Sequence, residues 1–182
     1  MSLEVPLNLK SRNLDLAQLS LCDAIDLAVL VEEEARDRYA DFADQLTLHH
    51  TPEAAGFFRW MSEIEEKHRK ELAERRQAKF GTQPSRVNLG MIFDIEAPEH
   101  GEARVFMTER EALDVALRSE QSAQAFFAAA KDAVRDPETR ALFAELEIEE
   151  ILHQRLVREE IAELPPDSPG NQEDYSDPPV QQ

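Results

Sequence analysis

Apolar residues recur along most of this chain at three- and four-residue intervals, the spacing of one face of an α-helix rather than a strand. The first such segment begins near Ser20, a serine suited to cap a helix, and runs to about Leu46. Its inner stripe is Ile25, Ala28, Glu32, Ala35, Tyr39, Phe42 and Leu46. A second segment opens with Thr51-Pro52-Glu53, a cap followed by proline at the first helical position, and closes near Gly81. The third opens with the capping-box sequence Thr108-Glu109-Arg110-Glu111 and runs to about Arg135. The fourth opens with Asp136-Pro137-Glu138 and must stop by Pro165-Pro166. Each predicted helix is roughly 25 to 30 residues long, or about 40 Å at helical rise.

The connections predict the topology. Only a few residues around His49-His50 join the first two helices, and almost nothing around Arg135-Asp136 joins the last two, so each pair folds back as an antiparallel hairpin. The stretch from Gly81 to Met107 is too long for a local loop and predicts a crossover running the length of the bundle. The expected organisation is an N-terminal extension over residues 1–19, a four-helix domain over residues 20–164, and a disordered acidic, proline-rich tail over residues 165–182.

Composition supports an all-α class: glycine is scarce, and the middle of the chain is rich in Ala, Leu, Glu, Arg and Gln. The hydrophobic content of 42% in 182 residues is enough for one sizeable core. A formal net charge of −18 excludes the basic footprint that nucleic acid or an anionic membrane requires. The single cysteine, Cys22, rules out an internal disulfide framework and any cysteine-rich metal site built by this chain alone. The start, Met1-Ser2-Leu3-Glu4-Val5, has no basic, apolar leader pattern, and runs such as Leu27 to Val31 are far too short to span a bilayer. A soluble, cytoplasmic protein is expected.

Candidate chemistry lies where the inner stripes are broken. Glu32 interrupts the first stripe, and the third helix repeats the pattern 88 residues later as Leu113, Ala116, Glu120, Ala123, Phe127, Ala130 and Val134. The second and fourth helices are a matched pair too. Phe58, Met61, Glu65, His68 and Leu72 are answered 85 residues later by Phe143, Leu146, Glu150, His153 and Val157. Both contain Glu-x-x-His, which puts the two side chains on one helix face within reach of a common ion. Residues equidistant from the turn of a hairpin lie at one height. The midpoint of Glu32 and Glu65 is 48.5 and that of Glu120 and Glu150 is 135, both in the predicted loops. All six side chains are therefore expected in one layer near mid-bundle.

A buried, ionised carboxylate without a partner costs several kcal/mol, so four would rival the whole stability of a domain, about 5 to 15 kcal/mol. Two divalent cations balance four glutamates, and neutral imidazoles add ligands without adding charge. The predicted metal ligands are Glu32, Glu65, His68, Glu120, Glu150 and His153. Tyr39, on the same stripe, either packs or serves as a hydrogen-bond partner of a ligand or as a one-electron donor. Glu33, Glu34, Glu63, Glu66, Glu147 and Glu149 read as ordinary surface charge, and His49, His50 and His100 as exposed loop residues. Trp60 and the Phe57-Phe58 pair are expected in the core or an interface.

On these residues the chain resembles the ferritin-like superfamily, and within it the rubrerythrins, over about residues 20–163. The run Glu32-Glu33-Glu34-Ala35-Arg36-Asp37-Arg38-Tyr39 is similar to the rubrerythrin first-helix motif, a ligand glutamate followed by Ala-Arg-x-Arg-Tyr. The resemblance implies a ferritin-like four-helix bundle with two iron ions (manganese or zinc as substitutes) held by the six residues above. It implies a homodimer, and a reaction of ferrous iron with oxygen or hydrogen peroxide in iron handling or oxidative-stress defence. The chain departs from the pattern at Ala123, where many rubrerythrins carry a second glutamate, and at Phe127, where a second tyrosine would stand. It has no Cys-x-x-Cys pair, so electrons must come from a separate donor. Two other roles share this ligand pattern: hydroxylation of an organic substrate, and non-enzymatic binding or delivery of iron.

Overall fold

The computed structural model describes residues 15–48, 52–91, 95 and 108–165. Four long helices dominate, α1 (Leu21–Leu48), α2 (Pro52–Phe80), α3 (Glu109–Ala133) and α4 (Pro137–Glu163), and the described residues contain no strand. Short 3-10 turns occupy Leu16–Gln18 and Leu89–Met91. His49, His50, His100 and Thr51 lie outside the described residues, as do most of the predicted extension and tail.

The helix ends follow from local chemistry. Ser20 Oγ accepts from the Asp23 amide at 3.2 Å, while its hydroxyl donates to Asp23 Oδ2 at 2.5 Å, closing a reciprocal cap on α1. Thr108 and Glu111 form the capping box of α3. Asp136 accepts from the Thr139 amide at 2.8 Å, with Pro137 at the start of α4. α2 ends at Gly81, whose φ of 55° suits a residue without Cβ and whose N–H returns to the Gln77 carbonyl at 3.0 Å.

α1 packs against α2 and α3 against α4, each as an antiparallel hairpin. The core divides into two apolar clusters. One contains Ile25, Ala28 and Val31 of α1, Leu72 of α2, Phe127 and Ala130 of α3, and Phe143 and Leu146 of α4. The other contains Ala35, Tyr39 and Phe42 of α1, Phe58 and Met61 of α2, Leu113 and Ala116 of α3, and Val157 of α4. On every helix the boundary between clusters falls at the polar interruption: Glu32, Glu65 with His68, Glu120, and Glu150 with His153. The bundle is thus two greasy halves separated by one layer of carboxylates and imidazoles.

α2 ends against the first cluster and α3 begins in the second, so residues 81–107 connect opposite ends of the bundle. The described start of this crossover is tied down. Arg86 pairs with Asp23 at the start of α1, and Val87 and Ile95 pack on the first cluster. Of the two places expected for Trp60, core or interface, the core is excluded. Trp60 is 37% exposed and leans on Phe57 with ring centroids 5.8 Å apart, because its position on α2 turns away from the other helices.

Candidate metal centre

The four interrupting glutamates are almost fully buried: Glu65 and Glu120 at 0% exposure, Glu32 and Glu150 at 1%. Helical periodicity forces this, since each occupies an inner-stripe position whose neighbours one turn away are packed. His68 Nδ1 lies 3.7 Å from Glu65 Oε2 and 3.9 Å from Glu32 Oε2. His153 Nδ1 lies 3.0 Å from Glu120 Oε2, 3.7 Å from Glu150 Oε2 and 3.9 Å from Glu65 Oε1. The two imidazole rings are parallel, 4.9 Å apart at an interplanar angle of 1°. Donor atoms of Glu65, His68 and His153 fall within 4.8 Å of one another, as do those of Glu120, Glu150 and His153. Glu32 stands outside those two tight groups and joins the layer through its approach to His68.

The electrostatics of this layer are unfavourable as bare protein. Burial, then repulsion from Glu65, pushes the Glu32 carboxyl well above its ordinary range. Burial, then repulsion from Glu120 and Glu32, does the same to Glu150. Burial, then His153, lowers the His68 imidazole to about 4, so it is neutral at physiological pH. Glu32 Oε2, Glu150 Oε2 and His68 Nδ1 are buried and accept or donate no hydrogen bond. Orphaned carboxylate oxygens beside an uncharged, unpartnered imidazole are what a mixed oxygen and nitrogen ligand set for a divalent transition metal requires, so the residues fit such an ion.

A supporting layer holds the donors in place. Tyr39 Oη donates to Glu120 Oε1 at 2.8 Å, the hydrogen-bonding alternative foreseen for this residue. Gln154 Nε2 donates to the Glu120 carbonyl at 3.3 Å and to Gln124 Oε1 at 2.8 Å, and Arg158 donates to Gln154 Oε1 at 3.0 Å. Neither glutamine was legible as part of the site, since each sits one helical position beside a ligand stripe rather than on it. Three acids expected as plain surface charge are also engaged. Glu66 accepts from Arg69 at 2.7 Å and Arg36 at 2.9 Å, which together hold its carboxyl far below the usual range. Glu147 pairs with Lys131. Glu149 is partly buried beside the centre, and burial raises its pKa.

Residues 23–161 match the sequence profile of the rubrerythrin family. The chain belongs to that family. A rubrerythrin domain implies binding of metal, iron in particular, and the described residues include two carboxylate and histidine groups that could hold an ion. The bundle is also similar to a crystal structure of an uncharacterized conserved protein from Magnetospirillum magnetotacticum MS-1, with a TM-score of 0.66 and 24% identity, covering 82% of this chain and 99% of that one. At that identity the likeness speaks for the ferritin-like fold alone. No curated protein matches the chain. Among the described residues of this rubrerythrin-family chain, no helix is long and apolar enough to cross a membrane.

Proposed function

We propose that this rubrerythrin-family chain holds two iron ions in the mid-bundle layer and acts as a di-iron oxidoreductase toward hydrogen peroxide or oxygen. The observation that carries the reading is the convergence of four buried glutamates and two histidines in which Glu32 Oε2, Glu150 Oε2 and His68 Nδ1 lack any hydrogen-bond partner. Glu32, Glu65 and His68 would hold one ion, and Glu120, Glu150 and His153 the other. Glu65 comes within 3.9 Å of both histidines, which supports a carboxylate shared between the two.

Two ferrous ions supply the two electrons that, with two protons, convert one hydrogen peroxide to two waters. The chain's own groups supply the rest. The apolar clusters on either side of the layer keep bulk water from the donors. The Tyr39 hydroxyl fixes Glu120 and is a hydrogen-bonded phenol from which a proton or an electron could be drawn. With one cysteine in the chain, re-reduction depends on a separate electron donor.

The test is anaerobic loading with ferrous iron followed by separate additions of oxygen and hydrogen peroxide, monitored by absorbance. About two irons per chain and a faster response to peroxide are expected. Binding of fewer, or unchanged binding in Glu65→Ala and Glu150→Ala, overturns the reading.

A further inference from the structure

The side chains of the six converging residues differ in how they meet solvent. Exposure is at most 2% for the four glutamates and 7% for His153, but 15% for His68. His68 is thus the member of the layer that reaches the surface. It lines a cavity of about 100 Å³ between α2 and α4, whose other walls include Glu71, Arg75, Glu145, Leu146 and Glu149.

Two features make this more than an acidic groove. Behind the His68 ring that lines it lies His68 Nδ1, buried and without a hydrogen-bond partner, and 3.9 Å from that atom lies Glu32 Oε2, also buried and also without one. Glu149 also lines the cavity, half-buried, and its charge acts on His153, Glu32 and Glu150. The walls carry three carboxylates against one guanidinium, and apolar surface such as Leu146 keeps the field between them from being dissipated by water. Neutral peroxide or oxygen feels no net charge attraction from such a lining, whereas a divalent cation does. On the solvent-exposed side of the lining, Arg75 Nη1 and Glu145 Oε2 form an ion pair at 2.5 Å, so the one guanidinium of the walls opposes an incoming cation there.

We propose that this cavity is the passage by which divalent cations reach the centre, with Glu149 the carboxylate that relays the ion from the mouth to His68 and the Arg75–Glu145 pair the barrier at the mouth. The inference rests on the two-metal reading above. It assigns Glu149 a role in loading only; once the ions are in place Glu149 is not among their ligands.

The experiment is stopped-flow mixing of the metal-free full chain with cobalt(II), whose absorbance reports both the rate of binding and the number of ions bound. Glu149→Gln is expected to bind as many ions as the unmodified chain, with the same final spectrum, but to load about tenfold more slowly at low ionic strength. Added salt should shrink that difference. Arg75→Gln is expected to load faster, an acceleration that misfolding cannot produce. Glu53→Gln, an exposed acid at the far end of α2, should load at the unmodified rate. The proposal is overturned if Glu149→Gln and Arg75→Gln load at the unmodified rate, if Glu53→Gln slows loading as much as Glu149→Gln, or if Glu149→Gln loses an ion at equilibrium. An unmodified chain that binds no cobalt overturns the two-metal reading and the passage together. One that binds two ions at rates indifferent to Glu149 and Arg75 overturns the passage alone.

Discussion

The phenol of Tyr39 on α1 donates a 2.8 Å hydrogen bond to Glu120 on α3, joining the two hairpins at a carboxylate 81 residues away. The bond is fully buried, and the Tyr39 ring is held by stacking on Phe58 at 5.7 Å. It ties the apolar half of the bundle to the polar layer.

Tyr39→Phe keeps the ring and removes the donor. Loss of a buried hydrogen bond to a carboxylate should lower the stability of the metal-free chain by about 1 to 3 kcal/mol. The urea midpoint reads this directly, and a midpoint equal to the unmodified chain's would show that the bond contributes nothing. Iron should still bind, since the six residues proposed to hold it remain, while the reaction with peroxide slows.

Metal should stabilise this fold strongly, because it neutralises charges that otherwise repel in a dry layer. At a free metal concentration about 100 times Kd, each ion adds about 2.7 kcal/mol. For a domain of this size that raises Tm by roughly 5 to 11 °C per ion. Calorimetry with and without a chelator checks it; a Tm indifferent to metal would remove the centre from the stability of the bundle.

The metal-free chain should lose stability as pH rises through the raised pKa values of its buried carboxylates. Glu32 and Glu150 have folded-state pKa values raised well above the ordinary 4.5, so the folded chain holds more protons than the unfolded one above that point. Their contribution is complete below pH 4.5 and is lost as pH rises through the raised values. His68 runs the other way: its pKa falls from 6.5 to about 4, so its contribution grows between those values and is constant above 6.5. Above pH 6.5 the His68 contribution is constant, so as pH rises through the raised values of Glu32 and Glu150 Tm should fall. The paired variant Glu32→Gln with Glu150→Gln should flatten that slope; an unchanged slope would assign it to the general negative charge of the surface.

Glu32→Met replaces a buried, partly unsatisfied carboxylate by an apolar chain of similar length. Metal-free stability should rise by about 1 to 3 kcal/mol while affinity for one ion collapses. A less stable variant would mean that the carboxylate is better solvated in the folded chain than its burial suggests.

The amino-acid sequence by itself determined the four helices, their caps at Ser20, Thr108 and Asp136, the pairing into hairpins, and the side chains that face inward. It could do so because helical periodicity is a local property: three or four residues along the chain always return to one face, whatever packs against it. The levelling of Glu32 with Glu65 and of Glu120 with Glu150 needed only hairpin arithmetic. What lies between helices was decided by the tertiary structure. The Glu120–His153 contact at 3.0 Å, the Gln154–Gln124 support, the burial of Glu149 and the partial exposure of His68 all depend on how far each helix is rotated about its axis. That rotation is set by the fit of all four stripes at once, which no single segment encodes. The same collective packing turned Trp60 outward and left a cavity between α2 and α4 beside His68, the most exposed member of the polar layer.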